Sequence, residues 1–158
     1  MPSEFNHRHR VAFSETDMAG ITHFSTFYRM MEDAEHAFYR SLGFSVVERE
    51  ADQVNTWPRV QADCQFLRPI RFEDEVDVRL LIDHVGTKSV RYLFDIRLAA
   101  AASADAGAPV AWGAMSVVHA IKHPDGAMRG QPIPDRIRAL LQPATRDLID
   151  SLKPPARN

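Results

Sequence analysis

An α+β fold, one long helix set against a mostly antiparallel sheet of about five strands, is predicted by three observations. Apolar residues recur at helical spacing over one long stretch, positions 26–43. From position 59 onward they alternate with polar residues, the period of a half-buried strand. The connections between those alternating stretches are too short for parallel crossovers, so neighbouring strands run antiparallel.

Each element has its own warrant. Val11 to Phe13 supplies a first strand. Phe27, Met30, Met31, Ala34, Ala37, Phe38 and Leu42 fall at three- and four-residue steps, one face of a helix of about five turns. Ser25 and Thr26 are its cap candidates and Gly43 its stop. Val60, Ala62, Cys64 and Phe66 then alternate with Arg59, Gln61, Asp63 and Gln65, and Pro69 ends that strand. The next strand carries Val76, Val78, Leu80 and Ile82, and the one after it Val90, Tyr92, Phe94, Ile96 and Leu98. Gly86-Thr87 between them marks a hairpin turn. The alanine-rich stretch 99–109 is a loop, and 110–121, apolar on both faces, is a strand in mid-sheet or at a subunit contact. Leu81, Leu93, Val117 and Ile121 are apolar at outer positions, which predicts a homodimer or homotetramer paired through the second face of the sheet.

Bulk properties narrow the function classes. A chain of 158 residues, 45% hydrophobic and 25% charged, suits a single domain over 1–158, with a core at about 6–134 and a helical tail at about 135–158. A formal charge of -2 argues against nucleic acid and anionic membrane as partners. The one cysteine, Cys64, has no partner for an internal disulfide, which suits a reducing compartment. The polar N-terminal decapeptide lacks the apolar stretch of a signal peptide, and no apolar run is long enough to span a bilayer. A soluble, cytoplasmic protein without membrane insertion is the expectation.

The chemistry is expected at Phe13-Ser-Glu-Thr-Asp17-Met-Ala-Gly20, which puts one short carboxylate, Asp17, in a glycine-bearing loop just before the long helix. Unpaired N-H groups at a helix start form an oxyanion site, and a carboxylate opposite them completes half of an acyl-transfer centre. Asp17 also fits an ordinary turn or capping role. Glu15, two residues away, points to the other side of an extended segment, against a shared-proton dyad. Glu32, Glu35 and His36 have metal-ligand spacing on a helix, but a solvated or subunit-facing helix side explains them better. No Cys/His cluster has zinc spacing, and no metal is expected. Met18, Met30 and Met31 suit an acyl pocket or core packing equally.

The run Phe13-Ser-Glu-Thr-Asp17-Met-Ala-Gly20-Ile-Thr-His-Phe24, followed by Phe27-Tyr-Arg-Met-Met-Glu32, resembles the signature of the 4-hydroxybenzoyl-CoA thioesterase group of hotdog-fold proteins, including the YbgC-type acyl-CoA thioesterases. Phe66-Leu-Arg-Pro69 through Asp74 resembles the group's turn between strands, and Gly86-Thr-Lys-Ser89 its next hairpin. The similarity runs over roughly 6–134. It implies a hotdog fold, a sheet wrapped around the long helix, and a hydrolase that splits an acyl-CoA thioester into carboxylate and coenzyme A. Asp17 aligns with the group's catalytic aspartate, nucleophile or general base. The backbone N-H near Phe24 matches the carbonyl-polarising position, with Gly20 and Ile21 beside it. No cofactor is implied beyond the coenzyme A of the substrate. YbgC-like members carry a histidine at the position of Phe24, whereas this chain has His23 one place earlier, so His23 orients a water or the acyl group, or is a loop histidine with a solvent or backbone partner. Coenzyme A phosphates need cations, for which Lys88 and Arg91 are the first candidates, then Arg59 and Arg129. Two other classes stay open: a hotdog enoyl-CoA hydratase or dehydratase using Asp17 and His23, and a non-catalytic acyl-CoA binding module.

Overall fold

The computed structural model describes residues 3–99 and 105–152. Its main sheet has five antiparallel strands in the order β1-β5-β6-β7-β4: β1 (Glu4–Arg10), β4 (Arg59–Phe66), β5 (Glu75–Val85), β6 (Ser89–Leu98) and β7 (Pro109–Val118). The 18-residue helix α1 (Phe24–Ser41) packs on the inner face, touching β1, β5 and β4. This is the hotdog arrangement, in which the sheet wraps the helix. A second, four-stranded sheet is built from β2 (Val47–Glu50), β3 (Gln53–Thr56), β8 (Ala120–Lys122) and β9 (Met128–Gly130). The chain continues into α2 (Asp135–Arg138) and α3 (Arg146–Leu152). The remainder of the expected tail, 153–158, and positions 100–104 of the expected loop lie outside the described residues.

Amphipathicity places the helix. Phe27, Met30, Met31, Ala34, Phe38 and Tyr39 are buried against Val76, Val78, Leu80 and Ile82 of β5 and Val90, Tyr92, Phe94 and Ile96 of β6. Burying each large apolar side chain stabilises the fold by about 1.5–3 kcal/mol, so this interface dominates the core. Close approach is permitted by Gly113 on β7: a Cβ there would lie 2.3 Å from Met31 Sδ and 3.1 Å from the Asp63 carbonyl. Among the described residues, no helix is long and apolar enough to cross a membrane.

Several sequence expectations are corrected. The first strand is 4–10, not 11–13; of its inward positions Phe5, His7 and His9, the two histidines hide the apolar period. Residues Phe13–Glu15 instead form a 3-10 turn. The helix starts at Phe24, with His23 rather than Ser25 or Thr26 as its N-cap, and ends before Gly43, whose φ of +87° terminates it. The strand expected over 110–121 stops at Val118; the His119 N-H donates to the Lys88 carbonyl at 2.7 Å, and β8 joins the other sheet.

The outer apolar positions do not form an open pairing face. Leu81 and Leu93 are covered by this chain's own Ala144 and Ile149, with Leu148, Leu152 and Trp112 around them. Val117 belongs to the helix-side core, and Ile121 pairs with Asn55 in the second sheet.

Glu35 is the other correction. It is fully buried rather than solvated, and ion-paired to Arg59 of β4, which also donates to Glu32 at 2.8 Å. Nearby, the Tyr39 and Tyr92 hydroxyls share a 2.9 Å hydrogen bond, and burial pushes both phenols well above the usual tyrosine range, so that pair stays neutral. Burial also lifts the Glu35 carboxyl above the ordinary carboxylate value, against the pull of the Arg59 guanidinium.

Replacing Arg59 by Met leaves Glu35 buried without its counter-charge, with an expected loss of about 3–5 kcal/mol at neutral pH, measured by urea unfolding. The folded chain then holds the Glu35 proton more tightly than the unfolded chain. Stability of Arg59→Met therefore rises as pH falls through the raised folded value toward the ordinary carboxylate value, and a pH-independent deficit contradicts the assignment.

Candidate active site

The site is assembled by the segment that connects β1 to α1. Val11 is pinned to the main sheet, its N-H donating to the Asp74 carbonyl at 2.9 Å and its carbonyl accepting from the Glu73 N-H at 3.0 Å. Glu15 then ties the segment together. Its Oε2 lies 2.9 Å from His9 Nε2 and accepts from the Ala12 N-H at 2.8 Å. Its backbone carbonyl accepts the His23 N-H at 2.8 Å, and the Thr26 hydroxyl donates to the same oxygen at 3.4 Å. One residue thus fixes both the end of β1 and the start of α1.

Between these anchors the chain makes a small closed loop. Thr16 bridges Thr22, the Asp17 N-H donates to the Ile21 carbonyl at 2.9 Å, and the Gly20 N-H donates to the Asp17 carbonyl at 2.9 Å. Gly20 has φ +75°, a left-handed conformation that glycine adopts without strain. The Ala19 N-H donates to Asp17 Oδ1 at 2.8 Å, while Oδ2 has no hydrogen-bond partner among the described residues. The carboxylate is therefore oriented by one oxygen and free at the other.

Asp17 stands at the side of a cleft of about 360 Å³ lined by Ile21, Thr22, Phe24, Phe27, Phe66, Leu67, Arg68 and Pro69. Three phenylalanines form one part of the wall: the Phe66 ring meets Phe27 edge-on at 5.3 Å and Phe24 at 6.4 Å. The strand-to-loop wall is held by the Leu67 and Arg68 N-H groups, which both donate to the Val110 carbonyl, and by the Thr22 N-H on the Ile70 carbonyl at 2.8 Å. Phe24 is the first residue of α1, and its backbone N-H has no partner among the described residues, as helix geometry requires of the first turn. Asp17, Ile21 and Phe24 share this one cleft. A second recess of about 520 Å³, lined by Phe13, Met18, Gly20 and Phe72 among others, meets it at Asp17.

His23 lies beside the cleft without lining it. Its Nδ1 is 2.8 Å from Ser25 Oγ and accepts weakly from the Ser25 N-H at 3.4 Å, which makes it the helix cap. Lys88 and Arg91 sit on the β5–β6 hairpin, where Lys88 Nζ donates to the Gly130 carbonyl and Arg91 pairs with Asp83. The cation that does line the cleft is Arg68, 2.9 Å from Asp105. Sequence reasoning passed over Arg68, Phe66 and Leu67 as cleft residues, although they stand in the turn 66–69 that the resemblance had marked; the missing signal was spatial adjacency to Phe24. Thr22 also went unnoticed, since a lone threonine carries no motif. Among the described residues, no group of three or more His, Cys, Asp or Glu side chains is placed to hold a metal ion. Burial pushes the half-buried Cys64 thiol up to about 12, so it is no nucleophile at neutral pH.

The sequence profile of the Thioesterase superfamily matches residues 19–103, just over half of the chain. A protein of Aquifex aeolicus (strain VF5) described as a putative esterase is 33% identical over 82 residues, 52% of this chain; the match spans 63% of that relative's length. Among solved structures, a gentisyl-coenzyme A thioesterase superposes with a TM-score of 0.67 at 27% identity, covering 85% of this chain and 97% of that one. The 4-hydroxybenzoyl-CoA thioesterase of Pseudomonas sp. strain CBS-3 superposes with a TM-score of 0.71 at 16% identity, covering 87% and 99%, a likeness of fold.

Replacing Glu15 by Ala removes the side-chain tether between β1 and the loop. The expected result is about 1–3 kcal/mol lower stability and faster amide exchange at Ala12 and His23, read by hydrogen-exchange mass spectrometry; unchanged exchange at both amides contradicts the anchoring role.

Proposed function

The chain belongs to the Thioesterase superfamily, and we propose that it hydrolyses acyl-coenzyme A thioesters to a free carboxylate and coenzyme A, with Asp17 as nucleophile or as general base on water. One observation carries this reading: Asp17, with one carboxylate oxygen unpartnered, and Phe24, whose N-H opens the helix unpaired, line the same cleft. The 27% identical gentisyl-coenzyme A thioesterase supports a coenzyme A thioester as the substrate class.

The chemistry follows from those groups. As base, Asp17 takes a proton from water and the hydroxide adds to the carbonyl carbon. As nucleophile, Oδ2 adds directly and water later splits the mixed anhydride. In both routes the C–O double bond opens to an oxyanion beside the Phe24 N-H at the positive end of α1. The oxyanion collapses, the C–S bond breaks, and the thiolate leaves carrying the electron pair. A thiolate is a good leaving group, so neither metal nor added cofactor enters the proposed mechanism. The apolar walls Ile21, Phe27 and Leu67 favour the acyl part, while Gly20 supplies the turn and His23 holds the helix start in place. With His23 Nδ1 engaged by Ser25, no observation favours an Asp17/His23 hydratase pair.

The coenzyme A phosphates are assigned to Arg68 first, with Lys88 and Arg91 as contacts from outside the cleft. A second copy of the chain is the proposed macromolecular partner. It is placed at the edge strand β4, which is exposed on both faces, Val60 by 63%, and offers unpaired backbone groups. A monomer by sedimentation equilibrium overturns that placement. The reducing compartment read from Cys64 makes the cytoplasm the proposed location.

Asp17→Asn keeps the side-chain shape and removes the charge. It is expected to lower thiol release from acyl-CoAs by about a thousandfold or more, with a melting temperature close to that of the parent chain. Retained turnover assigns the chemistry to another group. A parent chain that releases no thiol but changes the absorbance of an enoyl-CoA is instead a hydratase, and one that does neither is a binding module.

A further inference from the structure

Five buried side-chain polar atoms lack a hydrogen-bond partner among the described residues: Thr22 Oγ1, Glu35 Oε1, Arg59 Nε, His119 Nε2 and His123 Nε2. Glu35 Oε1 and Arg59 Nε are spare atoms of one buried ion pair. His119 and His123 lie at and beyond the break between β7 and β8, where His119 Nδ1 meets the Gln131 carbonyl at 3.2 Å. Neither histidine lines the cleft. Thr22 does.

Thr22 is 5% exposed, and nothing local accounts for its hydroxyl. Its backbone is already fixed, by the N-H on the Ile70 carbonyl and by the bridge to Thr16. Valine has the same shape and would fill the site without leaving a buried polar atom unsatisfied. A threonine here therefore works against stability, which is what a ligand-facing group does in an otherwise consistent core.

Thr22 lines the cleft as a residue, while its Oγ1 is buried from solvent beside it. Ile21, Phe24, Phe27, Phe66, Leu67 and Pro69 contribute apolar side chains. An ionised Asp17 only accepts hydrogen bonds, and Arg68 is paired with Asp105. The Phe24 N-H and, two residues before it, the Thr22 hydroxyl are two donors of cleft-lining residues that have no acceptor among the described residues. A threonine hydroxyl turns freely about its C–O bond, and one step of about 120° about χ1 exchanges the oxygen with the methyl group, so it can meet an acceptor that arrives with the substrate.

We propose that Thr22 is a further catalytic residue: its hydroxyl donates a hydrogen bond to the thioester oxygen alongside the Phe24 N-H, and so stabilises the negative charge that develops there. The role rests on the thioesterase reading of the cleft. It adds no covalent step and leaves the hydroxyl proton on Thr22. Because the bond strengthens as the oxygen becomes negative, its loss falls on kcat rather than on KM.

The test compares the parent chain with Thr22→Val and Thr22→Ser. Thiol release is followed with hexanoyl-CoA and benzoyl-CoA, and thermal unfolding is measured on all three proteins. Thr22→Val is expected to lower kcat by about tenfold to a hundredfold for both esters, with KM within about threefold and a melting temperature at or above the parent's. Thr22→Ser, which keeps the hydroxyl, is expected to retain most of kcat. An unchanged kcat in Thr22→Val overturns the proposal. A change confined to KM, or to one ester, assigns the hydroxyl to ground-state binding of the acyl group and overturns it as well. So does a fall in melting temperature without a kcat loss, the mark of a structural hydroxyl. A parent chain inactive on both esters and on a wider panel of acyl-CoAs sinks the thioesterase reading and this role with it, whereas an active parent beside an equally active Thr22→Val sinks the Thr22 role alone.

Discussion

Burial of one face of α1 against the inner face of the five-stranded sheet is the constraint on which the rest of the structure depends. It fixes the helix axis through Phe27, Met30, Met31, Ala34, Phe38 and Tyr39, with Gly113 letting the helix come close to β7. Once the axis is fixed, so is the place where the unpaired Phe24 N-H opens α1. Everything proposed about the cleft follows from where that end lies.

The loop before the helix is held just as firmly, but by polar bonds. Glu15 joins β1, the 3-10 turn and the start of α1 through its side chain and its carbonyl, and Asp17 hangs from that frame in a loop closed by its own backbone. The division of labour has a physical logic. Apolar packing is strong and undirected, which suits holding a helix against a sheet. Hydrogen bonds are weak but directional, which suits aiming a carboxylate.

The interior also carries groups that work against it. Glu35 is fully buried and paired with a partly buried Arg59, and a buried charge of this kind rarely stabilises a fold relative to well-packed apolar residues. Thr22 keeps a hydroxyl unsatisfied at the cleft wall. Neither departs from the helical or strand pattern in a way that the sequence makes visible. Glu35 occupies a core position on the helix and reads as a surface charge, because sequence pattern assigns glutamate outward unless a partner is known. That partner, Arg59, lies 24 positions along the chain on another element.

Apolar periodicity alone determined the α+β class, the long helix and the strands β4, β5 and β6, since residues 3.6 and 2 apart share a face whatever the rest of the chain does. The run from Phe13 to Phe24, with the matching stretches from Phe27, Phe66 and Gly86, carried the resemblance and pointed at Asp17. Tertiary structure decided what periodicity cannot encode. It put β1 at 4–10, where histidines stand on the inward face, and made a second sheet from 47–56, 120–122 and 128–130, segments too short and too polar to show a period. It covered Leu81 and Leu93 with the chain's own 144–152, and it brought Phe66, Leu67 and Arg68 opposite Thr22 and Phe24 to make the cleft. A period reports which way each residue faces on its own element. Which elements then face each other is set by the packing of the whole chain.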